Sequence, residues 1–167
     1  MLLTSCGFHL RGAITLPPQM ERTQLAGIDA RSALAEEIVA VLEGAGAQVV
    51  TADATALLRI SDERETRRLL SVGSSGRASE YEVSYQFSFE LSVPVTTTDP
   101  AGRESIVHQV RVTPQTVSLS RDYTFDPDSV LGMGDVEAVL VREMRAFAVR
   151  QMLLRLRAGL QAKDSRE

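Results

Sequence analysis

Cys6 is the only cysteine in 167 residues, and it follows Leu3, Thr4 and Ser5. An apolar residue three positions before a cysteine, with small residues between, is the pattern at which bacterial lipoprotein precursors are lipidated and cut. The competing reading is a small buried hydrophobe, the commonest role of a free cysteine. Its place near the chain start, where segments are seldom tied down, favours lipidation. With no second cysteine, an intramolecular disulfide is excluded. Only five residues precede Cys6, too few for the charged start and apolar run of a secretory signal. The simplest expectation is a shortened leader in which residues 1–5 are its remnant.

The second group with chemical potential is basic. Arg59, Arg64, Arg67, Arg68 and Arg77 crowd one stretch around Gly73-Ser74-Ser75-Gly76. Guanidinium forks bind phosphate bidentately, so an anion site for a phosphorylated glycolipid is one reading. The plainer reading is a solvated strand pair with cross-strand ion pairs, each worth little. Arg77, Arg68 and Arg67 are the candidate contacts.

Catalytic constellations are missing. His9 lies near the chain start, and His108 is expected at an inward position of a strand. Neither has Cys, Asp or Glu at metal-ligand spacing. No G-x-S-x-G elbow occurs. Gly132-Met133-Gly134 lacks the preceding strand and third glycine of a dinucleotide loop. Glu36/Glu37 and Asp126/Asp128 read as solvated charges. The expectation is a chain that is not an enzyme and needs no cofactor or metal.

The elements around these residues follow from periodicity. Leu16-Pro17-Pro18 reads as the end of an extended tether over 6–18. A strand is expected over Arg22 to Ile28, then a helix capped by Asp29 or Ser32. Its apolar stripe is Leu34, Ile38, Val41, Leu42 and Ala45, and Gly44 and Gly46 end it. Gln48 to Val50 is expected as a short strand. Arg59 to Val72 pairs as a hairpin with a long strand in which Tyr81, Val83, Tyr85, Phe87, Phe89, Leu91, Val93 and Val95 alternate with polar residues. Asp99-Pro100-Ala101-Gly102 marks the next turn. Ile106, His108, Val110 and Val112 alternate again. Pro114 then breaks the ladder, and Val117 and Leu119 resume on the other parity, as a bulge produces.

Arg121 to Gly134 reads as a polar loop. Asp135 is expected to cap a last helix running to about Ala158, with Val136, Val139, Leu140, Ala146, Phe147, Leu153, Leu154 and Leu160 on its apolar side. Residues 161–167 read as a flexible tail, leaving 19–160 as one domain. Two amphipathic helices on one face of a mixed or antiparallel sheet make a two-layer α+β fold. The other sheet face is rich in Ser, Thr, Glu and Gln, which suits a solvated or partner-facing surface.

Composition agrees with a single globular domain: 44% apolar and 24% charged residues. A net charge of −4, no Trp and 5% aromatic residues argue against nucleic acid as a partner. No apolar run is long enough to span a bilayer as a helix.

Cys6-Gly7-Phe8-His9-Leu10-Arg11-Gly12 resembles the mature start of the lipopolysaccharide-assembly lipoprotein family, LptE. Ala78-Ser79-Glu80-Tyr81-Glu82 is similar to that family's Ala-Glu-Tyr strand opening. Val141-Arg142-Glu143-Met144, running on to Leu156-Arg157, resembles its last helix. The resemblance implies two helices against a four-stranded, mainly antiparallel sheet. It also implies a lipoprotein held in the inner leaflet of the outer membrane through Cys6. Such a protein plugs the LptD β-barrel, helps it fold, and helps deliver lipopolysaccharide to the cell surface. The alternative is a stand-alone periplasmic lipopolysaccharide-binding module. In some family members, basic residues in the loop before the Ala-Glu-Tyr strand and in the loop before the last helix are implicated in lipopolysaccharide binding. Here the first loop carries its cation late, at Arg77, and Leu131-Gly132-Met133-Gly134 has none. The resemblance therefore implies a lipopolysaccharide contact at Arg77 but not a two-point clamp.

Overall fold

The computed structural model describes residues 16–73, 78–124 and 133–164, with the side chains of 78, 133–135 and 163–164 aside. After a 3-10 turn at Pro18–Met20 come β1 (Arg22–Ala26), α1 (Ala33–Gly44), β2 (Gln48–Val49), β3 (Ala56–Val72), β4 (Ala78–Thr98), β5 (Glu104–Thr124) and α2 (Met133–Asp164). They form one five-stranded sheet in the order β2-β1-β3-β4-β5. β1 is parallel to both β2 and β3, while β3, β4 and β5 are antiparallel neighbours. The α+β class expected from the sequence holds. The strand count does not: β2, only two residues long, adds a fifth strand, and the parallel half makes the sheet mixed.

Local chemistry sets the short elements. Ser32 Oγ accepts the Ala35 amide at 3.1 Å and caps α1, while Asp29 turns the chain just before it by accepting the Arg31 amide. α1 buries Leu34, Ala35, Ile38 and Leu42 completely. Each large side chain among them contributes roughly 1.5–3 kcal/mol. β1 stops at Ala26 rather than Ile28 because Gly27 adopts φ +82°. A Cβ at Gly27 would collide with the Ile60 carbonyl oxygen, so only glycine fits this close approach.

The long hairpins carry the core. Val83, Tyr85, Phe87, Phe89 and Leu91 on β4 point under the helices, beside Ala56, Leu58 and Ile60 of β3 and Val112 and Val117 of β5. α2 covers them with Val141, Met144, Ala148, Val149, Met152, Leu153, Leu156 and Leu160. Asp62, at φ +56°, bulges β3 where it leaves β1. The expected irregularity at Pro114 is present: β5 spends three steps, Val112 to Gln115, against two on β4. A second register shift follows between the Leu91/Val112 and Ser92/Val110 pairs.

That second shift overturns one expectation. His108 pairs with Pro94 and is exposed, so it is not an inward residue. With Ile106 and Val110 it shares the parity of Pro94, Thr96 and Ser92, opposite to Leu91. An inserted residue at Arg111 flips the strand, so alternation across it misplaces everything before it.

The last helix also differs from expectation. It begins at Met133, before Asp135, and runs to Asp164, past Ala158 and Gln161. Buried Leu160 holds its final turns on the core. The stretch Arg121–Thr124, expected as loop, completes β5 by pairing with Val83 through Glu80. No described helix is long and apolar enough to cross a membrane.

Candidate functional site

Cys6 and Arg77 lie outside the described residues. Arg67 and Arg68 are successive residues of β3, so their side chains leave opposite faces of the sheet. The structure does not bring them together.

Arg67 belongs to the helix-covered side, opposite Val83. Its Nη1 donates to Glu137 Oε2 of α2 at 3.0 Å, and its guanidinium lies 5.0 Å over the Tyr81 ring. Tyr81 stacks on Tyr123 of β5, centroids 5.7 Å apart. The Tyr123 hydroxyl donates to the same Glu137 oxygen at 2.7 Å. Leu69, Tyr81 and Tyr123 are register partners across β3, β4 and β5, and Arg67, two residues before Leu69 on the same face, reaches the carboxylate that Tyr123 also bonds. The electrostatics agree. The Tyr123 hydroxyl, and after it Arg67, hold the Glu137 carboxyl below its ordinary range against the pull of partial burial. Burial first, then the Glu137 bond, pushes the Tyr123 phenol up. Glu137 in turn holds the Arg67 guanidinium above its ordinary value.

Arg68 points to the helix-free face and pairs with Glu82 at 3.0 Å. Farther along that face Arg59 meets Glu90 at 3.1 Å. Ser84 and Ser120 share a hydrogen bond of 2.7 Å, and Ser88 and Thr116 one of 2.9 Å. The cross-strand ion pairs expected of a solvated hairpin are therefore present. Arg67 and Arg68 each face a carboxylate, and a phosphate must compete with it.

Where β5 ends and α2 begins, a groove of about 340 Å³ opens between Asp122, Tyr123, Val136, Val139, Leu140 and Glu143. Its lining is mostly apolar and includes the acidic residues Asp122 and Glu143. Sequence reasoning missed Tyr123 and Glu137 because the first lay in an expected loop and the second in an unremarkable helix start. The usable signal was Tyr123 falling at the spacing of Val117 and Leu119.

On the core side, the Tyr85 hydroxyl donates to Glu63 at 2.7 Å, and Arg145 lies 5.6 Å over the same ring. Burial, then the Glu63 bond, pushes that phenol well above its ordinary value. Such a hydroxyl stays protonated and serves as a structural donor, not a base. Among the described residues no group of three or more His, Cys, Asp or Glu is placed to hold a metal ion.

Comparison with known proteins fits this arrangement. The sequence model described as LptE, lipopolysaccharide-assembly, matches residues 13–156. The LPS-assembly lipoprotein LptE of Pectobacterium atrosepticum is 24% identical over 160 residues, covering 93% of this chain and 79% of the relative. Its counterpart in Photorhabdus laumondii is 23% identical over 164 residues, with the same coverage. Among solved structures, lipoprotein B of Nitrosomonas europaea aligns with TM-score 0.68 at 26% identity, covering 94% of each chain. The rare lipoprotein B of Shewanella oneidensis shares the fold at TM-score 0.64 and 23% identity, over 86% of this chain and 98% of that one. The family match spans most of the described fold, from the segment before β1 nearly to the end of α2, and on that ground the chain belongs to the LptE lipopolysaccharide-assembly family.

Proposed function

We propose that this chain is a non-enzymatic outer-membrane lipoprotein that plugs the LptD β-barrel, assists its assembly, and helps deliver lipopolysaccharide to the cell surface. Family membership across residues 13–156 carries the reading. The names of its relatives supply the substrate, and the resemblance at Cys6–Gly12 supplies the anchor. The geometry suits the role. A body inside a barrel lumen meets a polar wall, and the helix-free face offers a Ser, Thr and ion-pair ladder from Arg59 to Ser120. Lipidation at Cys6 would supply ~0.8 kcal/mol per buried methylene, and more than one acyl chain is needed for stable anchoring.

Lipopolysaccharide contact is assigned to Arg77 first and to Arg68 second. Arg68 is 70% exposed and its loss breaks only one strand-to-strand pair. Arg67 is third, because phosphate would have to draw it from Glu137. The decisive experiment is crosslinking in cells followed by purification. Recovery with an outer-membrane β-barrel is expected, and a chain that purifies alone overturns the plug. Separately, Arg77→Glu and Arg68→Glu should weaken lipopolysaccharide binding while sparing barrel recovery. Unchanged binding in both removes the assigned contacts.

A further inference from the structure

α2 carries apolar side chains on two opposite sides. One side packs on the sheet through Val141, Met144, Ala148, Met152 and Leu156. The other turns to solvent with Val136 (52% exposed), Val139 (44%), Phe147 (43%) and Leu154 (52%). At 100° per residue these four fall in one narrow stripe, directly opposite the core stripe. Two exposed charges, Glu143 and Arg150, complete it. The Arg150 guanidinium lies 5.9 Å over the Phe147 ring. Among the described residues neither Glu143 nor Arg150 takes part in an ion pair.

The order along this stripe has a symmetry of its own: Val139, Glu143, Phe147, Arg150, Leu154. Read from either end it runs apolar, charged, aromatic, charged, apolar, and the two charges are opposite. Positions 139 and 154 share their midpoint with 143 and 150, beside Phe147. Against a parallel copy, Glu143 would meet Glu143 and Arg150 would meet Arg150. Against an antiparallel copy the residues from Val139 to Leu154 meet their mirrors about the midpoint, while Val136, outside that set, falls opposite Arg157. Glu143 then faces Arg150 of the second copy at two symmetric places, Val139 faces Leu154, and the two Phe147 rings meet at the axis.

We infer that the outer face of α2 is a self-association surface, and that it pairs antiparallel, about a two-fold axis beside Phe147, with the same face of a second copy of this chain. Such an isologous contact closes at a dimer. Its charge pattern is complementary to itself, and that selects a second copy over a lipid surface or an unrelated protein. The stripe runs about 27 Å from Val136 to Leu154 and is one helix wide. At about 10 Å wide it covers roughly 270 Å², less than the ~800 Å² per partner of a standard stable interface. The dimer is therefore weak, forms at high local concentration, and is weakened by salt at its two exposed ion pairs. This inference goes beyond the barrel reading and does not depend on it.

Sedimentation equilibrium of the full chain, from micromolar to millimolar concentration, tests it. The mass should rise toward twice the monomer value. Phe147→Glu should weaken association by about tenfold or more, some 1.4 kcal/mol. Glu143→Arg and Arg150→Glu should each do the same, and the double exchange Glu143→Arg with Arg150→Glu should restore it. All three positions are exposed, and an unchanged thermal melt establishes that each variant folds. A monomer at every concentration overturns the inference, as does a dimer indifferent to Phe147→Glu. So does a double exchange no better than its single parents. A monomer that instead uses this face to bind anionic vesicles or another polypeptide also overturns it.

Discussion

At one end of the sheet, β3, β4 and β5 run under the first turns of α2. At the other, β4 and β5 continue alone past Pro94 and His108 for four more register pairs. The first end is tied across elements: Arg67 of β3 and Tyr123 of β5 bond Glu137 of the helix, and Tyr81 of β4 packs against both of them. The second end is tied only to itself. Asp99 accepts the Ala101 and Arg103 amides and pairs with Arg103 at 2.8 Å, and Thr97 bonds Ser105. Every residue from 101 to 110 is exposed, Ile106 at 71%. The two ends of one strand pair thus differ in what resists their opening. Local stability follows buried apolar contact and cross-element ties, not ladder length.

The largest effect belongs between the two ends. Phe87 is fully buried, and its ring meets Tyr85 edge-on at 6.3 Å. Phe87→Ala should cost about 3–5 kcal/mol, read from urea denaturation. A much smaller loss would mean that the helices do not clamp the middle of the sheet as drawn.

Next comes the tied end. Glu137→Gln removes a charge that serves both Tyr123 and Arg67, and the expected cost near neutral pH is about 0.5–1 kcal/mol, reduced by solvent screening. The pH dependence is more telling. The Glu137 carboxyl sits below its ordinary value in the folded chain. Its contribution is therefore complete above the unfolded value, about 4.3, and is lost as pH falls through the lowered one. Tyr123 works in the opposite sense: its raised phenol contributes below about pH 10 and loses that contribution as pH climbs through the raised value. In Glu137→Gln both limbs should shrink, the acid one through the lost carboxyl and the alkaline one because the Tyr123 phenol is raised less far. If the stability profiles of variant and parent are parallel across both limbs, the tie contributes nothing.

Much of this contrast was legible in the residues. The period-two run from Val83 to Leu91 fixed one buried face because a single wrong step would have exposed every aromatic in it. Ser32 marked the start of α1, and Asp99 to Gly102 marked a turn. What escaped was whatever periodicity leaves undecided. α2 is apolar on two sides, so Val136, Val139, Phe147 and Leu154 read as core, yet they face solvent. The inserted residue at Arg111 reversed the faces of Ile106, His108 and Val110. Glu137 became part of a site through Tyr123 on an unforeseen strand end and through Arg67, seventy residues earlier in the chain. As for the candidate lipopolysaccharide contacts, the sequence placed Arg67 and Arg68 side by side. A strand puts such neighbours on opposite faces.

The smallest global effect is expected at the free end, and it sharpens the comparison most. Ile106 is 71% exposed and lies on the helix-free face with His108 and Val110, so Ile106→Ser should change global stability by less than about 0.5 kcal/mol. Asp99→Ala should likewise leave the urea midpoint nearly unmoved. It should, however, speed amide hydrogen exchange at Ala101 and Arg103 and, through loss of the turn, along 96–98 and 104–107. The carboxyl of Asp99 is held low by the Arg103 and Ala101 amides and the Arg103 side chain. The same fraying should therefore appear in the parent chain as pH falls through that lowered value. Exchange at Tyr81 and Tyr123, at the tied end, should not change in either experiment. If those amides open together with 96–107, the two ends belong to one cooperative unit, and the distinction between a tied end and a free one does not hold.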